Sequence, residues 1–138
     1  MKPVIQEEVT GCGIASVAVL ARVTYRHAQT IANRLGIFAA DERLWSETHH
    51  VRRLLRHFGL RPSPRERAFT TWESLPRLAL LAIKWKKIRG RPYWHWVVFH
   101  RGETGPVVFD SKCALRRHLR TDFGRMKPKR LIEVRTRA

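Results

Sequence analysis

Cys12 lies in a setting that favours nucleophilic chemistry. It stands between Gly11 and Gly13, immediately before an apolar stretch with helical spacing, Ile14 to Ala21. At the N-terminus of a helix, the unpaired backbone N–H groups and the helix dipole favour the thiolate, which is the nucleophilic form of cysteine. The flanking glycines would let the backbone approach a substrate carbonyl closely. A buried structural thiol is the alternative interpretation of a single cysteine.

A thiolate nucleophile needs a base, and the base needs a group that orients it. Of the seven histidines, His95 and His100 lie on an aromatic stretch with β-strand composition, and strand alternation predicts that they face opposite sides. Asp110 ends the next apolar stretch, which a short turn joins to the first. His95 and Asp110 can therefore be neighbours in a hairpin. There the carboxylate would fix the imidazole tautomer and favour an imidazolium paired with Cys12.

Gln6 completes the set of candidate catalytic residues. It stands six residues before Cys12, and its side-chain amide, together with the Cys12 backbone N–H, would give two donors to a developing oxyanion. Loss of one such donor typically slows a reaction about 100- to 1,000-fold. An ordinary exposed polar residue is the alternative interpretation of Gln6.

The first half of the chain is predicted to be helical. Apolar residues recur at helical spacing after Cys12, after a possible cap at Thr24 and after a possible cap at Ser46. Residues 70–73 have the spacing of a capping box, which predicts a further short helix that ends near Pro76. These helices would position Cys12 and the segment before it.

The second half is predicted to form an antiparallel sheet that positions the histidine and the aspartate. Three stretches with strand composition follow one another, at Leu78 to Trp85, Tyr93 to His100 and Pro106 to Asp110. We expect a basic helix from Ser111 to about Arg120 and a closing strand from Leu131 to Val134. Helices followed by a mainly antiparallel sheet define the α+β class. No change in composition divides the chain, so residues 1–138 are predicted to form one domain.

The order and spacing of these residues resemble a known family. The segments Gln6-x5-Cys12-Gly13-x-Ala15, His95-Trp96-Val97-Val98 and Val108-Phe109-Asp110 are similar to motifs of the bacteriocin-processing cysteine peptidases, which cleave double-glycine leaders. The resemblance covers most of residues 1–112. It implies a papain-like cysteine peptidase fold, with N-terminal helices packed on a C-terminal antiparallel sheet. It also implies that Cys12 is the nucleophile and His95 the general base and acid. Asp110 would be the orienting residue and Gln6 an oxyanion donor.

The chain departs from that family at three points. Gly11 stands where an acidic residue commonly precedes the cysteine, and Ser111 stands where a proline commonly follows the aspartate. The family's peptidase domain is often fused to a membrane-spanning transporter, whereas this sequence has no apolar stretch close to the roughly 20 residues that a membrane span needs. The catalytic groups therefore carry over better than the leader substrate. The expected activity is hydrolysis of a peptide or other amide bond in a peptide or protein substrate.

The net charge raises alternatives to an enzyme. The 28 Lys and Arg side chains exceed the 11 Asp and Glu, with a balance of +5 over residues 1–83 (12 basic, 7 acidic) and +12 over residues 84–138 (16 basic, 4 acidic). The basic C-terminal region comprises Arg116, Arg117, Arg120, Lys127, Lys129 and Arg130. We expect it to attract a polyanion or an acidic partner and to lie outside the catalytic machinery.

Two non-enzymatic functions stay open on the sequence. With the stretch Tyr93-Trp94-His95-Trp96 as a base-stacking platform, the chain would suit a basic nucleic-acid-binding module. A core strand with arginines at its rim is the alternative interpretation of that stretch. The other possibility is a papain-like domain that only binds a partner peptide.

Composition excludes several other classes. With 43% hydrophobic residues the chain can form a core, so it is not a disordered protein. Two cysteines cannot form the disulfide scaffold of a small secreted protein, and no secretory signal pattern precedes Cys12, so a cytoplasmic protein is expected. The sequence contains no CxxC and no HExxH motif, so we expect neither a metal nor a cofactor.

Overall fold

The structure, a computed structural model, describes residues 1–136 and has an α+β architecture. Within these residues there are four α-helices: α1 (Cys12–Ala21), α2 (Tyr25–Arg34), α3 (His49–His57) and α4 (Phe123–Met126), with a 3-10 turn at Glu42–Leu44. The strands are β1 (Arg61–Pro62), β2 (Arg67–Ala68), β3 (Leu78–Ile88), β4 (Arg91–Gly102), β5 (Gly105–Phe109), β6 (Leu119–Arg120) and β7 (Arg130–Arg135). They form a seven-stranded antiparallel sheet in the order β1-β7-β3-β4-β5-β6, and β2 also pairs with β7.

Helix α1 lies at the centre of the fold. All of its residues except the last are buried, and it packs against α2, α3 and β4. A Cβ atom on Gly11 would lie 2.2 Å from the Tyr25 hydroxyl oxygen, and one on Gly13 would lie 3.0 Å from the Leu44 side chain. The two glycines beside Cys12 are therefore required by close packing at the start of the helix.

The sheet separates two apolar layers, and alternation along β4 divides its residues between them. Trp94, Trp96 and Val98 belong to the layer under the helices, whereas Val97 and Phe99 belong to a smaller layer closed by Trp72 and Met126. His95 has the parity of the second group and His100 that of the first. The two histidines therefore project to opposite sides of β4, as the alternation predicts.

The aromatic stretch of β4 is a core strand. Trp94 is 8% exposed and Trp96 2% exposed. The Trp94 ring stacks on that of Trp85 with 4.9 Å between their centroids, and Trp96 Nε1 donates to the Leu44 carbonyl at 2.9 Å. Both rings are buried, so they do not form an exposed platform on which nucleobases would stack.

The basic helix expected from Ser111 to about Arg120 is wrong. After β5 the chain loops back, and β6 pairs antiparallel with β5, so that Leu119 lies opposite Phe109. The Asp110 N–H donates to the His118 carbonyl, and the Asp110 carbonyl accepts from His118 Nδ1, both at 2.8 Å. The hairpin thus gives the Asp110 N–H and carbonyl hydrogen-bond partners. A helix that began directly after β5 would leave these backbone groups unpaired.

The helix expected over residues 70–76 and the cap expected at Ser46 are also wrong. Thr71 Oγ1 accepts a backbone N–H at 3.2 Å as a cap would, but the chain forms only a turn, because too few residues remain before the proline at position 76. Ser46 Oγ donates instead to the Pro92 carbonyl at 2.6 Å, which joins its loop to β4, and α3 begins later, at His49.

Candidate active site

Cys12 lies where β5 separates from β4. The two strands are paired up to Val98 and Phe109, and beyond that pair the first residue of α1 lies against the edge of β4. The Trp96 N–H donates to Cys12 Sγ at 3.4 Å, and the cysteine is 5% exposed. Because the Cys12 thiol lies at the edge of β4, it is also accessible to a side chain on the face of β4 that is turned away from α1.

His95 is that side chain, and Asp110 holds it in place. His95 Nε2 and Asp110 Oδ1 are 2.7 Å apart, so Nε2 donates to the carboxylate. The other ring nitrogen, Nδ1, does not contact this carboxylate oxygen, and Cys12 is near enough to His95 to raise the pKa of the ring. The Asp110 side chain is fully buried and that of His95 is 14% exposed. The three side chains thus follow one another in the order thiol, imidazole, carboxylate.

The pKa values of the pair favour an imidazolium and a carboxylate. Burial acts to lower the pKa of His95, but the hydrogen bonds to Asp110 and to Cys12 outweigh it and raise that pKa to about 9. Burial acts to raise the pKa of Asp110, but the hydrogen bond and the charge of His95 outweigh it, and that pKa is lowered to about 2. At neutral pH His95 therefore holds its proton next to the sulfur of Cys12.

Arg120 pairs with the far side of the Asp110 carboxylate. Its Nη1 is 2.9 Å from Asp110 Oδ2, and its Nη2 is 2.7 Å from Asp122 Oδ2. The Lys112 N–H also donates to Asp110 Oδ1 at 3.1 Å. We expected the whole basic C-terminal region to lie outside the catalytic machinery, but Arg120 contacts Asp110, which is one of the candidate catalytic residues. Its contact follows from β6 pairing with β5, which brings Arg120 opposite Val108.

Gln6 connects the segments on either side of the candidate site. Its Nε2 donates to the carbonyls of Glu8 at 3.0 Å and Val9 at 2.7 Å, and its Oε1 accepts from Ser111 Oγ at 2.9 Å. The Gln6 N–H donates to the Ser111 carbonyl at 3.0 Å. Gln6 thereby ties the turn before Cys12 to the residue after Asp110. Both protons of its amide are engaged, so donation to an oxyanion requires one of these bonds to break.

The backbone at the start of α1 offers a second kind of oxyanion donor. No side chain caps this helix at Gly11. The first N–H groups of an α-helix have no acceptor within the helix. The N–H of Cys12 is one of these groups and belongs to the same residue as the candidate nucleophile.

A cleft of about 450 Å³ adjoins His95. Its walls include Trp45, Trp94 and Tyr93, together with Lys84 and Lys86 from β3. We call it the His95 cleft. Its mixture of aromatic and charged side chains beside the imidazole is suited to a substrate that is partly apolar and partly charged.

The remaining candidate groups are dispersed. Cys113 is exposed, in contrast to the buried Cys12. Within residues 1–136, no group of three or more His, Cys, Asp or Glu side chains is arranged to hold a metal ion. None of the helices in that part of the chain has the length and hydrophobicity needed to cross a bilayer.

Comparison of the chain with protein-family models, with curated proteins and with solved structures finds no match. Function is therefore inferred from the geometry around Cys12 and from the motifs of the sequence.

Proposed function

We propose that the protein is a papain-like cysteine hydrolase that cleaves a peptide or other amide bond. The proposal is carried by one observation: His95 Nε2 lies 2.7 Å from Asp110 Oδ1, and Cys12, far away in the chain, is near enough to raise the pKa of His95, which is the order that nucleophile, base and orienting group require. The placement of Cys12 at the start of a buried helix, with His95 and Asp110 on an antiparallel sheet, supports the papain-like fold.

In the proposed reaction, the Cys12 thiolate attacks the amide carbon and the carbonyl π electrons move to oxygen. The Cys12 N–H donates to the resulting oxyanion. His95 gives its proton to the leaving amine as the C–N bond breaks, which leaves a thioester on Cys12. His95 then takes a proton from water, the hydroxide attacks the thioester, and the acid leaves with regeneration of the thiolate. Asp110 keeps the imidazole ring oriented throughout.

The proposed partner is a peptide or protein substrate, with the exposed arginines as a second contact. Arg116 and Arg117 are exposed, and no carboxylate in residues 1–136 forms a salt bridge with either. They favour attraction of a polyanion or of an acidic region of the substrate. Because Trp94 and Trp96 are buried, this attraction does not by itself indicate a nucleic-acid-binding module.

Limited alkylation with iodoacetamide at about pH 6, followed by peptide mapping, tests the proposal. We expect Cys12 to react about tenfold faster than Cys113, although Cys12 is buried, because the protonated His95 ring lies near its sulfur and Cys113 is not part of the proposed triad. His95→Gln should remove this difference. His100→Gln is the matched control, since it changes the same residue type on the same strand but on the opposite face.

Equal labelling of the two cysteines in the wild type would contradict the proposal, as would equal effects of the two histidine variants. Hydrolysis itself is tested by incubating the wild type and Cys12→Ser with a mixture of synthetic peptides and following new fragments by mass spectrometry. Fragments formed equally by both proteins would exclude Cys12 as the nucleophile.

A further inference from the structure

Strand β3 is irregular directly beside His95. Ile83 lies opposite His95, and the pairing register then shifts between Ile83 and Lys86. Lys84, within this bulge, has a φ of +53°, a left-handed conformation that is unfavourable for lysine. Bulges of this kind occur next to active sites, where they change the direction of a side chain. Here the bulge places Lys84 in the wall of the His95 cleft.

The unpaired charges in the His95 cleft are positive. Glu42 also lines it, but its Oε1 accepts from Arg91 Nη1 at 2.8 Å and its Oε2 accepts from the Tyr93 hydroxyl at 3.0 Å. Across residues 1–136, neither Lys84 nor Lys86 forms a salt bridge with a carboxylate. In this part of the chain, neither ammonium group in the wall of the cleft is therefore in direct contact with a carboxylate.

A second lysine flanks the same pair of residues: the Lys112 N–H donates to Asp110 Oδ1 at 3.1 Å, and Asp110 holds His95. Burial first, then the neighbouring Lys112 ammonium, lower the pKa of Lys84, while the charge of Asp110 acts in the opposite direction. Two ammonium groups have only protons to donate, so neither can accept from the other, and their charges repel. An anion bound between them would accept hydrogen bonds from both and remove the repulsion.

We propose that Lys84 and Lys112 bind a carboxylate of the substrate next to the amide bond that is cleaved. The inference rests on the proposed function, because it takes Cys12 as the nucleophile. In a peptide, this carboxylate is either the side chain of an acidic residue beside the bond or a free C-terminus. The preferred substrates are thus acidic, which agrees with the net charge of +17.

Paired maleimides test the anion site without requiring hydrolysis. One reagent of each pair has a carboxyalkyl chain and the other the corresponding carboxamide, at a short and a long chain length. The measured quantity is the ratio of the two rates of labelling at Cys12. We compare the wild type with Lys84→Asn, Lys84→Arg and Lys112→Gln. Asn is chosen because it tolerates the left-handed conformation. Lys87→Asn is the control, since Lys87 is exposed on the same strand but lines a different cavity.

We expect Lys84→Asn and Lys112→Gln each to lower the ratio of carboxylate to carboxamide labelling about threefold at the better chain length, as suits an exposed charge pair. Lys84→Arg should keep the ratio, because the charge remains, and the Lys87 control should not change it. Ratios that are unchanged in Lys84→Asn and Lys112→Gln, while Cys12 still reacts with the carboxamide, would overturn the anion site alone. A wild-type Cys12 that is unreactive toward both reagents would overturn the proposed function.

A set of peptides distinguishes the two sources of the carboxylate. The first pair has a central Glu or Gln with an amidated C-terminus, and the second pair has a central Gln with a free or an amidated C-terminus. Faster cleavage of the Glu peptide assigns the site to an acidic side chain, and faster cleavage of the free acid assigns it to a C-terminus. Either preference should disappear in Lys84→Asn. Equal cleavage of all three peptides would contradict the inference, and cleavage of none would count against the hydrolase but not against the labelling ratios.

Discussion

Replacing Asp110 by Asn tests the ion pair on which the proposed chemistry depends. Asn has nearly the same shape, and its side-chain oxygen can still accept from His95 Nε2, so the substitution removes the negative charge and also the oxygen that accepts from Arg120. Burial, which lowers the pKa of His95, is then opposed by Cys12 alone. We expect the pKa of His95 to fall from about 9 toward or below its ordinary value of 6.5.

The size of the effect on stability follows from the same pKa values. The difference between about 9 and 6.5 for His95 corresponds to about 3 kcal/mol, at roughly 1.36 kcal/mol per pH unit. Because the pKa is higher in the folded state, this contribution to the free energy of unfolding is fully present below pH 6.5 and is lost as the pH rises through about 9. In Asp110→Asn most of this pH dependence should be absent.

Asp110 itself contributes in the opposite pH range. Its folded pKa of about 2 is below the ordinary 3.8, so its contribution is present above pH 3.8 and is lost as the pH falls through about 2. Wild-type stability should therefore be greatest between about pH 4 and 6.5, where both groups are charged. In Asp110→Asn there is no carboxylate at this position to protonate. The variant should therefore not show this loss of stability as the pH falls below 3.8.

Two measurements test the predicted pKa of His95 and the predicted pH dependence of stability. Histidine ring resonances are titrated by NMR in the wild type and in Asp110→Asn, with His95→Gln used to assign the His95 signal. Urea unfolding is measured on both proteins at a pH below 6.5 and at a pH above 9. If His95 in the Asn variant still titrates near 9, the carboxylate does not hold the proton, and the orienting role of Asp110 is refuted. Parallel stability curves for the two proteins would refute the linkage argument in the same way.

Two further predictions concern the basic C-terminal region. Arg120→Met leaves Asp110 Oδ2 without its charged partner, and because hydrogen bonds to charged groups contribute about 1.5–3 kcal/mol, we expect a loss of that size in urea unfolding together with slower labelling of Cys12. Arg117→Met is the control and should change neither quantity. The double substitution Arg116→Gln, Arg117→Gln should weaken binding to heparin and reduce its log–log salt dependence by about 1–2, with Cys12 labelling unchanged. A collapse of labelling in this double variant would place the exposed arginines in the catalytic machinery.

The elements that could be predicted from the sequence are those with a local apolar pattern. Helix α1 and strands β3, β4 and β5 each have a continuous or alternating run of apolar residues, and burial requires such a run. Residues 111–120 have no such pattern. Their conformation is decided by pairing of β6 with β5 and by the contacts of Asp110, which are long-range interactions that composition does not reveal.

The contrast between local sequence pattern and long-range contacts also applies to the candidate site. Cys12, His95 and Asp110 could be proposed from residue type, order and strand alternation. In the structure His95 and Asp110 are 2.7 Å apart, and Cys12 is near enough to raise the pKa of His95. The role of Arg120 could not be anticipated, because a basic residue in a basic segment is usually a solvated one. The bulge at Lys84 was equally hidden, since the residues on both sides of it continue the strand.

Asp110 connects the chemistry of the candidate site to the stability of the fold. Its buried carboxylate accepts from His95 on one oxygen and from Arg120 on the other, so it orients the imidazole and also fixes the hairpin that carries Arg120. Removing one partner of a buried charge leaves the other uncompensated. Substitutions at Asp110 must therefore change stability and Cys12 reactivity together. Lys84 lies at the solvent-exposed rim, so its substitution should change only the reactivity toward anionic reagents.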